Sequence, residues 1–401
     1  MYPALRPNNW ACCAAAPHGC ACKPSTIDRR SPVISLLNAI PLLSLIELFG
    51  GLLLLIVGAE LLVRAAVGLA ARLQVRPLII GLTVVAFGSS APQMAVSLQA
   101  TLAQNADIAV GSVIGSSIFN ILVTLGLSAL IIPLRVSRQL VRLDIPLMIG
   151  ASLLVFVLAW NEELTQLDGV LLLMALAVYL GLLLRQSRHS GRPHGMGVDV
   201  DVDVAQGSWP KSLSMMVVGL AMLIFAGHLL LGAAVEVATD LGLSERIIGL
   251  TIVAVSTSLP ELATSLIAAL RGQRDIAVGN VIGSNLFNLL GVLGVTALAA
   301  PSPLSVSPNA LDFDLPVMLG VAVLCLPVFY SGYRVTRAEG LLFLGLYLAY
   351  GLHVVSFTTG MPLAGQLERL MLFYVLPALL AFLLFSSLRA WRRQHHKRDL
   401  P

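Results

Sequence analysis

Two short stretches place oxygen-bearing side chains around a proline inside otherwise apolar sequence: Ser89-Ser90-Ala91-Pro92-Gln93 and Thr257-Ser258-Leu259-Pro260-Glu261. Proline removes an amide donor and clashes with the carbonyl one turn back, so a helix kinks or opens there. Hydroxyl, amide, carboxylate and freed carbonyl oxygens together are the donor set of a hard cation such as Ca2+ or Na+. A plainer reading is a proline kink whose Ser and Thr bond back to their own helix. Further along, GSVIGSSIFN and GNVIGSNLFN carry Ser116 with Asn120 and Ser284 with Asn288, each pair four residues apart and so on one helix face. These faces can complete a coordination shell against the proline-broken helices. Glu261 is the sharpest residue, because a carboxylate in mid-membrane costs about 3 kcal/mol or more unless it is paired or functional. No basic residue near it in either motif neutralises it, so a bound cation is its natural partner, with a proton as substitute. Glu60 and His228, at the start of loosely equivalent segments, read as polar packing near helix ends.

These groups belong to one duplicated stretch. Residues 81–130 and 249–298 align without a gap at an offset of 168 positions with 28 of 50 residues identical, which turns two kinks into a designed pair. Gly111, Gly115, Gly279 and Gly283 repeat every four residues in the two copies, the small-residue spacing that lets membrane helices approach closely.

The elements that must hold the pair are membrane helices. The chain is 57% hydrophobic and only 11% charged, with a mean hydropathy of +0.88, which excludes a soluble multidomain protein. A net charge of +4 carried by Lys and Arg in short loops points to no nucleic-acid partner. Apolar segments are expected at 34–63 (ending at Arg64), 77–102, 108–133, 144–160 and 168–187. A second set follows at 212–235, 247–270, 276–300, 314–332 and 339–357, and an eleventh run at 370–388 precedes a basic tail. The expected organisation is a poorly ordered leader (1–33), a first five-helix repeat (34–187), a linker (188–211), a second repeat (212–357), and an extra helix with a basic cytoplasmic tail (358–401). Cys12, Cys13, Cys20 and Cys22 beside His18 lack zinc-finger spacing, and Cys325 reads as core filler. The VDVDVDV run of the linker lacks the loop glycine and terminal Glu of an EF-hand and reads as a solvated acidic linker.

An odd number of segments per half forces the second half to enter the membrane from the opposite side, an inverted repeat. With the N-terminus outside, the inside loops and tail hold 19 Lys and Arg, against Arg246 and Arg369 outside. That bias sets the C-terminus in the cytoplasm, against the leader's own Arg6, Lys23, Arg29 and Arg30. The fold class is therefore an all-α polytopic membrane protein of two inverted five-helix repeats plus an eleventh helix.

STSLPE followed by GNVIGSNLFN resembles the second repeat of the cation/calcium exchanger superfamily, in the compact form of the bacterial sodium/calcium exchangers; the resemblance covers residues 41–357. It implies alternating access and the exchange of Na+ for Ca2+, with H+ or K+ in some members. By motif position it implies ligands from the side chains of Ser89, Ser90, Gln93, Ser116, Asn120, Thr257, Ser258, Glu261, Ser284 and Asn288, and the carbonyls of Ala86 and Ala254. The first repeat of the family also reads Pro-Glu, whereas this chain has Pro92-Gln93, and Ser112 and Ser117 stand where the second copy has Asn280 and Asn285. The site thus offers one formal negative charge in place of two. The expectation is a secondary-active Na+/Ca2+ antiporter, not an enzyme, without a cofactor, in a bacterial inner membrane. Its partners are inorganic cations and the lipid bilayer, with no evident protein partner. H+- or K+-linked exchange of another cation, and a non-transporting cation sensor, stay open, while a channel fits broken inverted repeats less well.

Overall fold

The computed structural model describes residues 42–73, 75–189, 209–240, 252–330 and 332–358. The leader with its cysteines, the VDVDVDV run, the eleventh apolar run at 370–388, the basic tail, Arg246 and Arg369 lie outside the described residues. What is described is almost entirely helical, because apolar sequence without water must satisfy its backbone within each segment. The helices are α1 (Leu42–Leu73), α2 (Pro77–Ser89), α3 (Ala91–Leu102), α4 (Ala106–Ile131), α5 (Leu140–Asn161), α6 (Gln166–His189), α7 (Trp209–Asp240), α8 (Ala254–Thr257), α9 (Leu259–Leu270), α10 (Arg274–Ala299), α11 (Ala310–Tyr330) and α12 (Arg337–Thr358). Among the described residues eight are long and apolar enough to cross a membrane, and α2 with α3 forms an apolar pair bent by 41°.

One expected boundary moves. The first segment does not end at Arg64 but runs on to Leu73. Arg64 is tolerated inside α1 because Glu60, one turn earlier, accepts from its Nε at 2.6 Å.

Burial orders the helices. The most apolar stretches of α4 and α10 are 78% and 89% buried, against 22% for α6 and α12, so the duplicated third segments form the centre and the outer helices face lipid. Ile46, Phe49 and Leu53 of α1 and Leu348 and Leu352 of α12 point outward, as a lipid-facing surface requires. Helix α1 lies along α7, α6 packs on the C-terminal part of α10, and α12 packs on that of α4. Each half thereby lends its fifth segment to the other half's third. Gly169 meets Gly294 and Gly340 meets Gly126 so closely that an added Cβ would sit 2.8 Å and 2.6 Å from the facing carbonyl oxygen. These glycines open the Asp168-Gly169 and Glu339-Gly340 segments. The acid of each closes a capping box, Asp168 accepting from the Thr165 amide at 2.8 Å and Glu339 from the Thr336 amide at 2.7 Å.

Two short antiparallel strand pairs tie the halves at the helix ends. Strand β1 (Leu134–Arg135) pairs with β4 (Arg334–Val335), and β2 (Glu163–Leu164) with β3 (Leu304–Ser305). Cys325 is buried in α11, the core position expected of it.

Candidate functional site

Both proline motifs break their helices at the same place. Helix α2 gives way to α3 at Ser90 (φ −81, ψ −4) and α8 to α9 at Ser258 (φ −95, ψ 0). Both residues sit in the sparsely allowed bridge region, with Pro92 and Pro260 in the first turn beyond. In the described span α4, a π-helical turn covers Asn120–Leu125, and in α10 one covers Phe287–Val292, so both candidate asparagines lie in widened turns. Close packing brings the four pieces together: an added Cβ on Gly283 would stand 2.7 Å from the Leu82 carbonyl oxygen, and one on Gly115 3.1 Å from the Ala254 Cβ.

Every candidate side chain is buried, and most meet across the two copies. Ser90 donates to Glu261 Oε1 at 3.2 Å. Ser89 lies 3.3 Å from Ser284 and donates to Asn280 Oδ1 at 3.2 Å, with the Ala86 carbonyl 3.3 Å away. Ser258 donates to Ser116 at 2.8 Å and to the Ala254 carbonyl at 3.0 Å. Ser116 in turn donates to Gln93 Oε1 at 3.0 Å. Thr257 turns back to the carbonyls of Val253 and Ala254, the plainer role foreseen for such hydroxyls. Asn120 donates to Asn285 on α10 at 3.4 Å, a residue outside the candidate set. The Asn288 side chain makes no hydrogen bond among the described residues, nor do Glu261 Oε2 and Asn120 Oδ1.

Among the described residues Glu261 has no cationic partner, whereas Glu60 pairs with Arg64 and with Arg271 at the edge of the bundle. Among the described residues no three His, Cys, Asp or Glu gather, so the group around Glu261 is one carboxylate among hydroxyls, amides and carbonyls. Such a set suits a hard, exchangeable cation better than a tightly held transition metal. Glu60 is half-buried and pairs with Arg64 and Arg271, and His228 is exposed.

Several participants carried no mark in the sequence reading. Ser97 and Ser265 hold Gln93 and Asn280 at 3.4 Å and 2.9 Å, and their identity at the 168-residue offset was the available signal. Asp314 accepts from Tyr350 at 3.0 Å, and Asp144 and Tyr179 stand at the matching places of the first half; the Asp-Xaa-Pro that opens both fourth segments could have flagged them.

Fold and site define a polytopic membrane transporter with a duplicated, oxygen-lined centre. The chain belongs to the sodium/calcium exchanger protein family, which matches residues 43–185 and 211–356. CaxA of Alkalimonas amylolytica is 37% identical over 75% of this chain and 95% of its own length. The inner membrane protein YrbG of Escherichia coli is 37% identical over 71% and 87%, and the sodium/calcium exchanger MaX1 of Methanosarcina acetivorans is 30% identical over 75% and 95%. Among solved structures, the sodium-calcium exchanger NCX_Mj soaked with Na+ and Ca2+ superposes with a TM-score of 0.65 at 29% identity, covering 80% of this chain and 99% of that one. The protein is thus an integral membrane antiporter of inorganic cations and not an enzyme.

Proposed function

We propose that the protein exchanges Na+ for Ca2+ by alternating access at a mid-membrane site, with Glu261 as the principal charged ligand. Ser89, Ser90, Gln93, Ser116, Asn120, Thr257, Ser258, Ser284 and Asn288 supply side-chain oxygens, and Ala86 and Ala254 supply carbonyls. The observation that carries this reading is Glu261: a buried carboxylate, touched on one oxygen by Ser90 from the other copy, without a cationic partner among the described residues. A desolvated carboxylate of this kind is stabilised by a cation. Na+ and Ca2+ compete for the same oxygens, which couples one to the other, and the bends at Ser90 and Ser258 are the places where helix halves can pivot.

The arrangement is two inverted five-helix repeats. Support comes from the exchanged fifth segments and from the two strand pairs at opposite ends. Arg135 and Arg334 lie in one strand pair, while the other contains Glu163 and no Lys or Arg, which favours the β1–β4 end as cytoplasmic and the N-terminus as external. Relatives such as the inner membrane protein YrbG favour a bacterial inner membrane.

The test is Ca2+ uptake into proteoliposomes loaded with Na+, K+ or acidic buffer. Uptake driven by internal Na+ and abolished in Glu261→Gln is the expected result. Uptake that follows a pH or K+ gradient and ignores Na+ would replace the coupling ion, and no counterflow under any gradient would remove the exchange reading.

A further inference from the structure

The two copies of the site differ at Gln93 against Glu261 and at Ser112 against Asn280, and the structure joins these differences into one. In the second copy, Asn280 Nδ2 donates to Ser265 at 2.9 Å and to the backbone oxygen of Glu261 at 3.3 Å. In the first copy the shorter Ser112 puts a hydroxyl 3.3 Å from Ser97 where Asn280 offers an amide. The amide nitrogen of Gln93 joins the two, donating to Ser112 at 2.9 Å and to Ser97 at 3.4 Å. Ser97 is the counterpart of Ser265, so the amide N–H at this buried serine comes in one copy from the asparagine of the third segment and in the other from the glutamine of the broken helix.

The Gln93 amide nitrogen faces Ser112, whose hydroxyl also lies 3.0 Å from the Ala109 carbonyl and 3.3 Å from Ser97; with its proton on that carbonyl, Ser112 offers lone pairs to the N–H. The Gln93 oxygen then lies toward Ser116, which donates to it at 3.0 Å, on the side of the group that includes Ser258 and the Ala254 carbonyl. A carboxylate at position 93 would set an acceptor against the lone pairs of Ser112. An asparagine at position 112 would compete for the volume that Gln93 Nε2 occupies.

We propose that Ser112, seconded by Ser97, is the positioning residue that makes position 93 a neutral, oriented oxygen ligand, and that Gln93 and Ser112 act as a single compensating pair. Ser112 acts on the ion only through Gln93. Restoring the second-copy residue at either position alone breaks the arrangement, and restoring both rebuilds it. The inference rests on the reading of Gln93 as an ion ligand.

The experiment compares the natural protein, Gln93→Glu, Ser112→Asn and the double variant in proteoliposomes, reading the KM for Ca2+ and the maximal rate of counterflow. Each single change is expected to raise KM about tenfold, and the double variant to return within about threefold of the natural value, since residues in contact couple non-additively. If the two single effects multiply in the double variant, or if Ser112→Asn leaves KM unchanged, the proposal falls. Should Ser112→Asn not fold, Ser112→Ala removes the acceptor without adding bulk: a raised KM at an unaltered maximal rate, reversed in Ser112→Thr, supports the pair, and an unchanged KM overturns it. If the natural protein shows no counterflow, the exchange reading alone fails. The pair is then read from the rise in unfolding temperature that CaCl2 produces in the same four proteins, where recovery in the double variant supports it and additive loss overturns it.

Discussion

Around Pro92 the buried polar groups are neutral and bonded to one another: Gln93 to Ser97, Ser112 and Ser116, and Ser116 to Ser258. Around Pro260 the corresponding place holds Glu261, a carboxylate with one serine contact and one oxygen left over among the described residues. The backbone break is the same in both, as the angles at Ser90 and Ser258 testify. Duplication has therefore kept the geometry twice and the charge once. The second copy also keeps the longer amide, Asn280, which reaches across to Ser89 of the first. One half thus supplies the charge and the Asn280 cross-link, and the other an ordered neutral wall.

The largest test of this contrast removes the charge. Glu261→Gln takes away the single carboxylate facing a desolvated cation, at a cost of roughly 3–5 kcal/mol, which is a hundredfold or more in apparent Ca2+ affinity. Gln93→Ala, which removes only a neutral oxygen, should cost about 1–2 kcal/mol by the ordinary scale of a buried hydrogen bond. Ca2+ counterflow in matched proteoliposomes, with gel-filtration profiles to confirm folding, ranks the two. Equal losses would mean that the halves share the charge after all.

A step down in size comes the cross-link. Asn280→Ser copies the first half's residue into the second and leaves Ser265 and the Ser89 hydroxyl without their amide, for about 1–3 kcal/mol of stability. A fall of several degrees in unfolding temperature, with the KM for Ca2+ also raised, is expected. A silent Asn280→Ser would mean that the bonds from Asn280 to Ser89 and Ser265 carry no weight.

Packing separates the halves in a third way. A Cβ added on Gly283 would stand 2.7 Å from the Leu82 carbonyl oxygen and the Ala86 Cβ, whereas one on Gly115 would meet only the Ala254 Cβ, at 3.1 Å. Gly283→Ala must move backbone and should cost about 1–3 kcal/mol, the usual range for overpacking, while Gly115→Ala asks a few tenths of an ångström of one methyl and should cost less. Thermal unfolding of both variants beside Gly320→Ala, which meets nothing within 4 Å, gives the order. A reversed order would place the tighter joint in the first copy.

Much of this was legible because the two copies check each other. A lone Pro92 beside two serines reads equally well as a kink; the same residues 168 positions on, with Glu261 in place of Gln93, do not. Eight of the expected segments stand as long apolar helices among the described residues, since a bilayer imposes length and apolarity on every helix. What stayed hidden is long-range or compensated. Arg64 looked like a helix end because charge reads as loop, and only Glu60 at the right spacing keeps α1 going to Leu73. The bond from Ser89 to Asn280 crosses 191 residues and leaves no local pattern. Asn120 and Asn288 were expected to complete the shell beside Ser116 and Ser284; Asn120 bonds Asn285 of the other copy, a partner 165 residues away that no local spacing marks.

The smallest effect belongs to the outer pair of helices, and it sharpens the contrast by its size. Glu60 and His228 occupy loosely matching places in α1 and α7, as Gln93 and Glu261 do in the broken helices, so a second carboxylate of transport could in principle stand at Glu60. The surroundings argue otherwise. Glu60 is committed to Arg64 at 2.6 Å and to Arg271, both arginines are nearly half exposed, and His228 is open to the surroundings of the bundle. A pair in that setting contributes about 0–1 kcal/mol and weakens as salt screens it. Glu60→Gln should therefore lower the unfolding temperature slightly at low ionic strength, and not at all at high, with the KM for Ca2+ unchanged. His228→Ala should change neither. Loss of Ca2+ counterflow in Glu60→Gln would bring a second charge into the ion path and end the account of an exchanger that runs on Glu261 alone.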